Sequence, residues 1–199
     1  MLTITRVESG KDCNRRNGNG VGGRCKLSGT VEGDMSKTYS FLVDTYETEI
    51  LKITGTWEAF PDTAMSFRPA EKSRTVLEQF EHQVKSEGGW MRDMLGIEVG
   101  PFLPKDASKR GYIEQYRSDA EKRLAILRGK PDAWWEEDTK FFNVPRSRAW
   151  VLVRRMNHAT HHRGQLVVYL RLLEERVPSV YGPTADTDGK VIYKFEERR

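Results

Sequence analysis

The sequence predicts an all-α protein, a four-helix bundle, on three observations. Four long segments repeat apolar residues at three- and four-residue steps, glycines and prolines punctuate the gaps between them, and no segment shows a convincing strand alternation. With 199 residues, 37% of them hydrophobic and 31% charged, the chain can fill one core and still cover its helices with solvated charge. One domain is therefore expected.

The first helix is expected over Tyr39 to Trp57, where Phe41, Leu42, Tyr46, Ile50, Leu51 and Ile53 recur at helical spacing. Asp62 or Thr63 marks a turn. The second helix is expected from about Pro69 to Leu95, with Val76, Leu77, Phe80, Val84, Met91 and Met94 as its apolar stripe and Gly96 as its stop. Pro101 and Pro104 reinforce that break. The third, from about Ala107 to Leu127, carries Tyr112, Ile113, Tyr116, Ala120, Leu124 and Leu127, and Gly129 with Pro131 closes it. Trp134 to Phe142 reads as an aromatic link in which Trp134 and Trp135 cap the core. Ser147 is the natural cap of a fourth helix running to about Glu175, with no proline until Pro178. Val177 to Asp188 reads as a loop, and Val191 to Phe195 as a short strand or tail.

Residues 1–34 contain seven glycines and few large apolar groups, so they are expected to be a flexible extension, with the bundle over 35–186 and a charged tail over 187–199. Both cysteines, Cys13 and Cys25, lie in the extension with no histidine beside them, which supports neither a zinc site nor a disulfide scaffold. No apolar run approaches the ~18 residues of a membrane span, and Met1 to Asn14 lacks a signal-peptide stretch. A soluble cytoplasmic protein without a membrane partner is expected.

A pI of about 9.0 invites a nucleic-acid reading. The excess charge sits at the ends, however. Residues 1–34 hold six Lys/Arg against four Asp/Glu and residues 187–199 four against three, leaving 23 basic and 22 acidic residues between them. Phosphate binding needs clustered positive charge, and here the signs alternate, so no nucleic-acid partner is expected.

Three of the four histidines fall in Asn157-His158-Ala159-Thr160-His161-His162-Arg163-Gly164-Gln165. At 100° per residue His158 and His162 differ by about 40° on the helix and share a face with Val151, Gln165, Tyr169 and Leu173, whereas His161 points about 60° away from His158 and 100° from His162. Histidines at i and i+4 can offer two nitrogens to a transition metal; the alternative is a hydrogen-bonded surface run. Ala159 replaces the glutamate that a His-Glu-x-x-His protease would need. In the second helix, periodicity reads His82 as a surface residue and places Glu87 within the apolar stripe, where it is either a buried carboxylate near the metal or, the preferred reading, a solvated residue at a helix end; Tyr169 in the fourth is either core, the preferred reading, or a polar group reaching toward substrate. Gly164 reads as a point of close helix approach.

At these residues the chain resembles the DinB/YfiT-like family, in which a histidine on the second helix joins a His-x-x-x-His pair, typically followed by Arg-Gly-Gln, on the fourth. His158, His162 and Arg163-Gly164-Gln165 match the pair, and Glu81-His82-Gln83 supplies the first position. The resemblance spans about residues 36–186, including Ser147-Arg148-Ala149-Trp150 and Tyr181-Gly182-Pro183-Thr184. It implies an up-down-down-up bundle with His82, His158 and His162 on one divalent metal, most often zinc or nickel, and open positions for water or substrate.

Two functions follow from such a centre. One is a metal-dependent enzyme of thiol transferase or hydrolase type acting on a small molecule, for which the resemblance implies a low-molecular-weight thiol as cosubstrate. The other is a non-catalytic, metal-binding stress-response or interaction protein. A homodimer is expected.

Overall fold

The computed structural model describes residues 38–189. The expected extension (1–34) and most of the tail, including Val191 to Phe195, lie outside those residues. Among the described residues the protein is mostly helical: α1 (Ser40–Glu58), α2 (Val76–Leu95), α3 (Lys109–Arg128), a short α4 (Asp132–Glu136) and α5 (Arg148–Leu172). The long helices α1 and α2 each pack against both α3 and α5.

Each long helix forms where its apolar stripe and caps agree. In α1, Leu42, Val43, Tyr46, Ile50, Ile53 and Trp57 are buried, while Phe41 and Leu51, read as part of the stripe, face solvent. Helix α2 begins seven residues later than Pro69. Thr75 caps it through its side chain, which accepts from the Glu78 amide at 3.1 Å, and Glu78 returns the bond to the Thr75 amide at 2.7 Å. A reciprocal cap of this kind satisfies two helix-end donors at once and fixes the start more firmly than the apolar pattern does. At the far end Gly96 adopts φ +67°, the left-handed turn that lets the Gly96 and Ile97 amides close on Arg92 and Met91.

All six stripe residues expected for α3 are buried. Ser108 caps it, and the chain turns so tightly there that a Cβ on Gly111 would collide with the Asp106 carbonyl. Ser147 caps α5, accepting from the Trp150 amide. Trp57 stacks on Phe80 with centroids 4.5 Å apart and lies 5.1 Å from Tyr116, joining α1, α2 and α3 at one end of the core.

The expected absence of strands is corrected by a small hairpin, β1 (Asp138–Phe141) paired antiparallel with β2 (Val144–Ser147), in register Phe141 to Val144. It lies where the sequence reads as an aromatic link. Four-residue strands with an exposed Pro145 offer too short an alternation to stand out. Thr139 Oγ1 donates to the Met94 carbonyl, so the hairpin is fastened to the end of α2 before it leads into α5. Phe142, at its tip, holds φ +52°, a region costly for a side chain with a Cβ. Trp135 in α4 is buried against the core, as expected.

Candidate metal centre

The long contact between α2 and α5 brings His82 together with His158 and His162. One ring nitrogen of each lies within 4.8 Å of the other two. The Nε2 of His82 is 3.0 Å from that of His162, which is 3.3 Å from the Nε2 of His158. Ligand nitrogens about 2.1 Å from a tetrahedral ion would stand roughly 3.4 Å apart, so these edges suit such an ion. His162 is buried, and His82 and His158 are half-buried.

His82 sits on the flank of α2 beyond Gln79, away from the centre of the buried face that Phe80 and Val84 define. Its backbone position is that of a surface residue, as periodicity has it. The length of the imidazole carries Nε2 back to α5. His161 is exposed and stays outside the group, with Nε2 3.1 Å from the Gln165 side-chain nitrogen.

The partners of the outer ring nitrogens set the protons. Gln165 Oε1 lies 3.0 Å from His162 Nδ1 and can only accept, so His162 carries its proton there and leaves Nε2 bare toward the centre. Gln79 Nε2 donates to the same oxygen at 3.0 Å and holds it in place. Replacing Gln165 with alanine should therefore weaken metal binding by about 10–100-fold without removing a ligand. Competition with a chromogenic chelator measures this, and unchanged affinity would show that the orientation of His162 does not depend on Gln165.

His158 is held differently. Arg155 Nη1 donates to its Nδ1 at 2.6 Å, which leaves the ring proton of the neutral imidazole on Nε2. The donor set fits a divalent ion in type and spacing, and one contact must yield on loading: coordination through Nε2 moves that proton to Nδ1, where the Arg155 N–H now points. Trp90 covers the same ring, stacked at 5.5 Å, and is itself held edge-on by Phe141 and Phe142 of the hairpin.

Arg155 belongs to a buried layer to which all four long helices contribute. Its Nε donates to Glu87 at 2.6 Å, Tyr46 donates to the other carboxylate oxygen at 2.5 Å, and Arg123 stands 3.9 Å from it. Glu87 is 1% exposed, which corrects its reading as a solvated residue. Burial alone would raise its pKa, but Arg155, Arg123 and the Tyr46 hydroxyl outweigh that and lower it, so Glu87 is a carboxylate.

Burial lowers the pKa of His158 to about 3, with Arg155 and the neighbouring imidazoles adding to it, and lowers that of His162 to about 4. His82 is lowered by burial and then by Arg74 and Arg155. The centre is thus three neutral imidazoles at pH 7, the form that ligates metal. An unfolded chain takes up protons on these rings as pH falls through about 6.5, while the folded one resists. The metal-free protein should keep constant histidine-linked stability above that pH and lose it progressively between about 6.5 and 3. Thermal melts from pH 7.5 to 5 test this above the carboxylate range; the slope should flatten in His158→Ala, and a stability that rises on acidification would contradict it.

Arg163, beside the histidines in sequence, turns away to bond Glu49 of α1, which also accepts from Thr160 and Tyr181. Tyr169 is buried as expected, its hydroxyl donating to the Arg74 carbonyl. Gly164 admits no close neighbour, since a Cβ there would meet nothing within 4 Å. The expected close approach is therefore not its role. Gly164→Ala should raise stability by up to about 1 kcal/mol, the helix-propensity gain, with metal content unchanged; a lowered melting temperature would contradict this.

Gln165 is legible in the sequence as a residue on the face of His158 and His162, but not as the acceptor that orients His162; Arg155 went unread, although it lies three residues before His158 on the same helix. Trp90 carried no such signal, because the hairpin that holds it was not legible.

The DinB family model matches residues 35–190 of the chain. No curated protein matches it. Among solved structures, a DinB-like protein from Bacillus cereus ATCC 10987 superposes with a TM-score of 0.65 at 21% identity, over 72% of this chain and 97% of that one. A DinB-like protein from Bacillus subtilis, YjoA, gives a TM-score of 0.55 at 18% identity, over 69% and 94%. These likenesses concern the fold, and no helix among the described residues is long and apolar enough to cross a membrane. With a family match that covers the four long helices and all three clustered histidines, the chain belongs to the DinB family.

Proposed function

We propose that the protein binds a divalent metal, zinc or nickel, through His82, His158 and His162, and uses the open centre for a reaction of thiol transferase or hydrolase type. The observation that supports this most is the convergence of three Nε2 atoms from two helices at the spacing of metal ligands. Such an ion, when bound, supplies a full positive charge that lowers the pKa of a water or thiol beside it to the neutral range. The chain's own part is to leave that charge undiluted: its three donors are neutral and Glu87 is already paired. Gln165 fixes the His162 tautomer, Trp90 shields the His158 side from water, and Arg155, which gives up its contact with His158 Nδ1 on loading, stays anchored to Glu87. The reading includes an up-down-down-up bundle acting as a cytoplasmic homodimer on a small molecule, with a low-molecular-weight thiol as cosubstrate.

The test is turnover of a panel of thiols and electrophilic or hydrolysable substrates by metal-loaded protein, abolished by chelation and by His162→Ala. A second reading, a metal-binding interaction protein without catalysis, is favoured by one feature. The buried carboxylates Glu87 and Glu49 are both bound to guanidinium groups, so neither is free to act as a general base. Stoichiometric metal with no turnover across the panel would select it.

A further inference from the structure

Two recesses flank the histidine centre and share one side chain. One, of about 270 Å³, is lined by His82, Lys85 and Arg74; the other, of about 480 Å³, by Gln165, Lys72 and Arg74. The acidic groups of the first are already occupied. Glu78 accepts both oxygens' bonds from Arg68 at 3.0 Å, and Glu81 pairs with Lys85. Among the described residues Lys72 and Arg74 have no carboxylate partner, and both are exposed. The mouth of the centre therefore carries uncompensated positive charge.

The position of Arg74 is built rather than incidental. Its carbonyl accepts from the buried Tyr169 of α5 at 3.1 Å, which pins the loop before α2 to the helix that bears His158 and His162. The start of α2 is not the source of the attraction: the Thr75, Val76, Leu77 and Glu78 amides are bonded to Glu78, Phe67, Met65 and Thr75 in turn. What faces the recesses is a guanidinium fork, a group whose geometry matches a carboxylate or a phosphate.

We propose that Arg74 docks the oxyanion of an organic-acid substrate, carboxylate or phosphate, so that the rest of the molecule lies against the three histidines. Lys72 adds attraction as a point charge. This rests on the reading of the histidine centre as the reactive site, and it makes Arg74 a substrate-binding residue contributed by a loop outside the His-x-x-x-His segment.

The full chain, stripped of metal by a chelator, is titrated at low ionic strength with succinate and, separately, with inorganic phosphate, following the arginine Nε–H resonances by nuclear magnetic resonance. Saturable shifts of the Arg74 resonance are expected, with the tighter of the two anions naming the oxyanion. Binding should weaken at least ten-fold in Arg74→Gln and recover in part in Arg74→Lys, whereas Arg110→Gln, at an exposed arginine of α3 that lines neither recess, should bind as the unmodified protein does. Arg74 is exposed, so Arg74→Gln should keep the melting temperature and take up metal normally. Equal anion binding by Arg74→Gln, or no saturable binding of either anion, overturns the proposal. Metal uptake is read separately on the same proteins: anion binding that depends on Arg74 in a chain that takes up no metal would leave this inference standing and refute the metal centre alone.

Discussion

His82→Ala, His158→Ala and His162→Ala are each expected to abolish stoichiometric metal binding at micromolar concentration, while His161→Ala retains it. The three residues place their nitrogens within 4.8 Å of one another, and removing one leaves two donors on an ion that needs at least three. His161 meets the group through the Gln165 amide and edge-on ring packing against His162 and offers it no nitrogen, so its loss should cost no more than the ~10–100-fold of an outer contact. Titration calorimetry on the four variants, with circular dichroism to show each is helical, measures this. Metal retained by His162→Ala and lost by His161→Ala would mean a pair spaced by three. Normal binding by His82→Ala would mean that α2 contributes no ligand.

The second large effect lies beneath the centre. Glu87→Leu should destabilise the protein by about 3–5 kcal/mol, because it strands Arg155, which is fully buried, without its carboxylate. The same loss should follow Arg155→Met, which leaves Glu87 facing only Arg123 and Tyr46. A double variant, Glu87→Leu with Arg155→Met, should recover most of the stability, since replacing both partners removes the unpaired charge. Denaturant unfolding of the three proteins closes the cycle. Additive losses in the double variant would show that the two residues are not coupled.

Much of this architecture could be read from residue spacing. The buried faces of α1 and α3, the Ser147 cap and the left-handed stop at Gly96 follow from periodicity and from residues whose chemistry allows one role at a helix end. The i,i+4 relation of His158 and His162 is likewise local. What spacing could not supply was long-range. Glu87 falls within the stripe of α2, yet only Tyr46, Arg123 and Arg155, arriving from three other helices, make its burial tolerable and decide against the solvated reading. His82 reads as surface because a helical wheel places backbones, and the decisive contact is made by a ring reaching across to α5. The hairpin was hidden by its length: four residues give too little alternation, and its pairing is supported by Trp90 and Met94 from α2 rather than by its own sequence.

The central claim is that His82, His158 and His162 hold a divalent ion. The measurement that tests it most directly is elemental analysis of the protein purified without a histidine tag, repeated on His158→Ala prepared in the same way. One zinc or nickel per chain is expected in the first, and less than a tenth of that in the second. Equal metal in both, or none in the unmodified protein even after equilibration with excess zinc and nickel, would contradict the account.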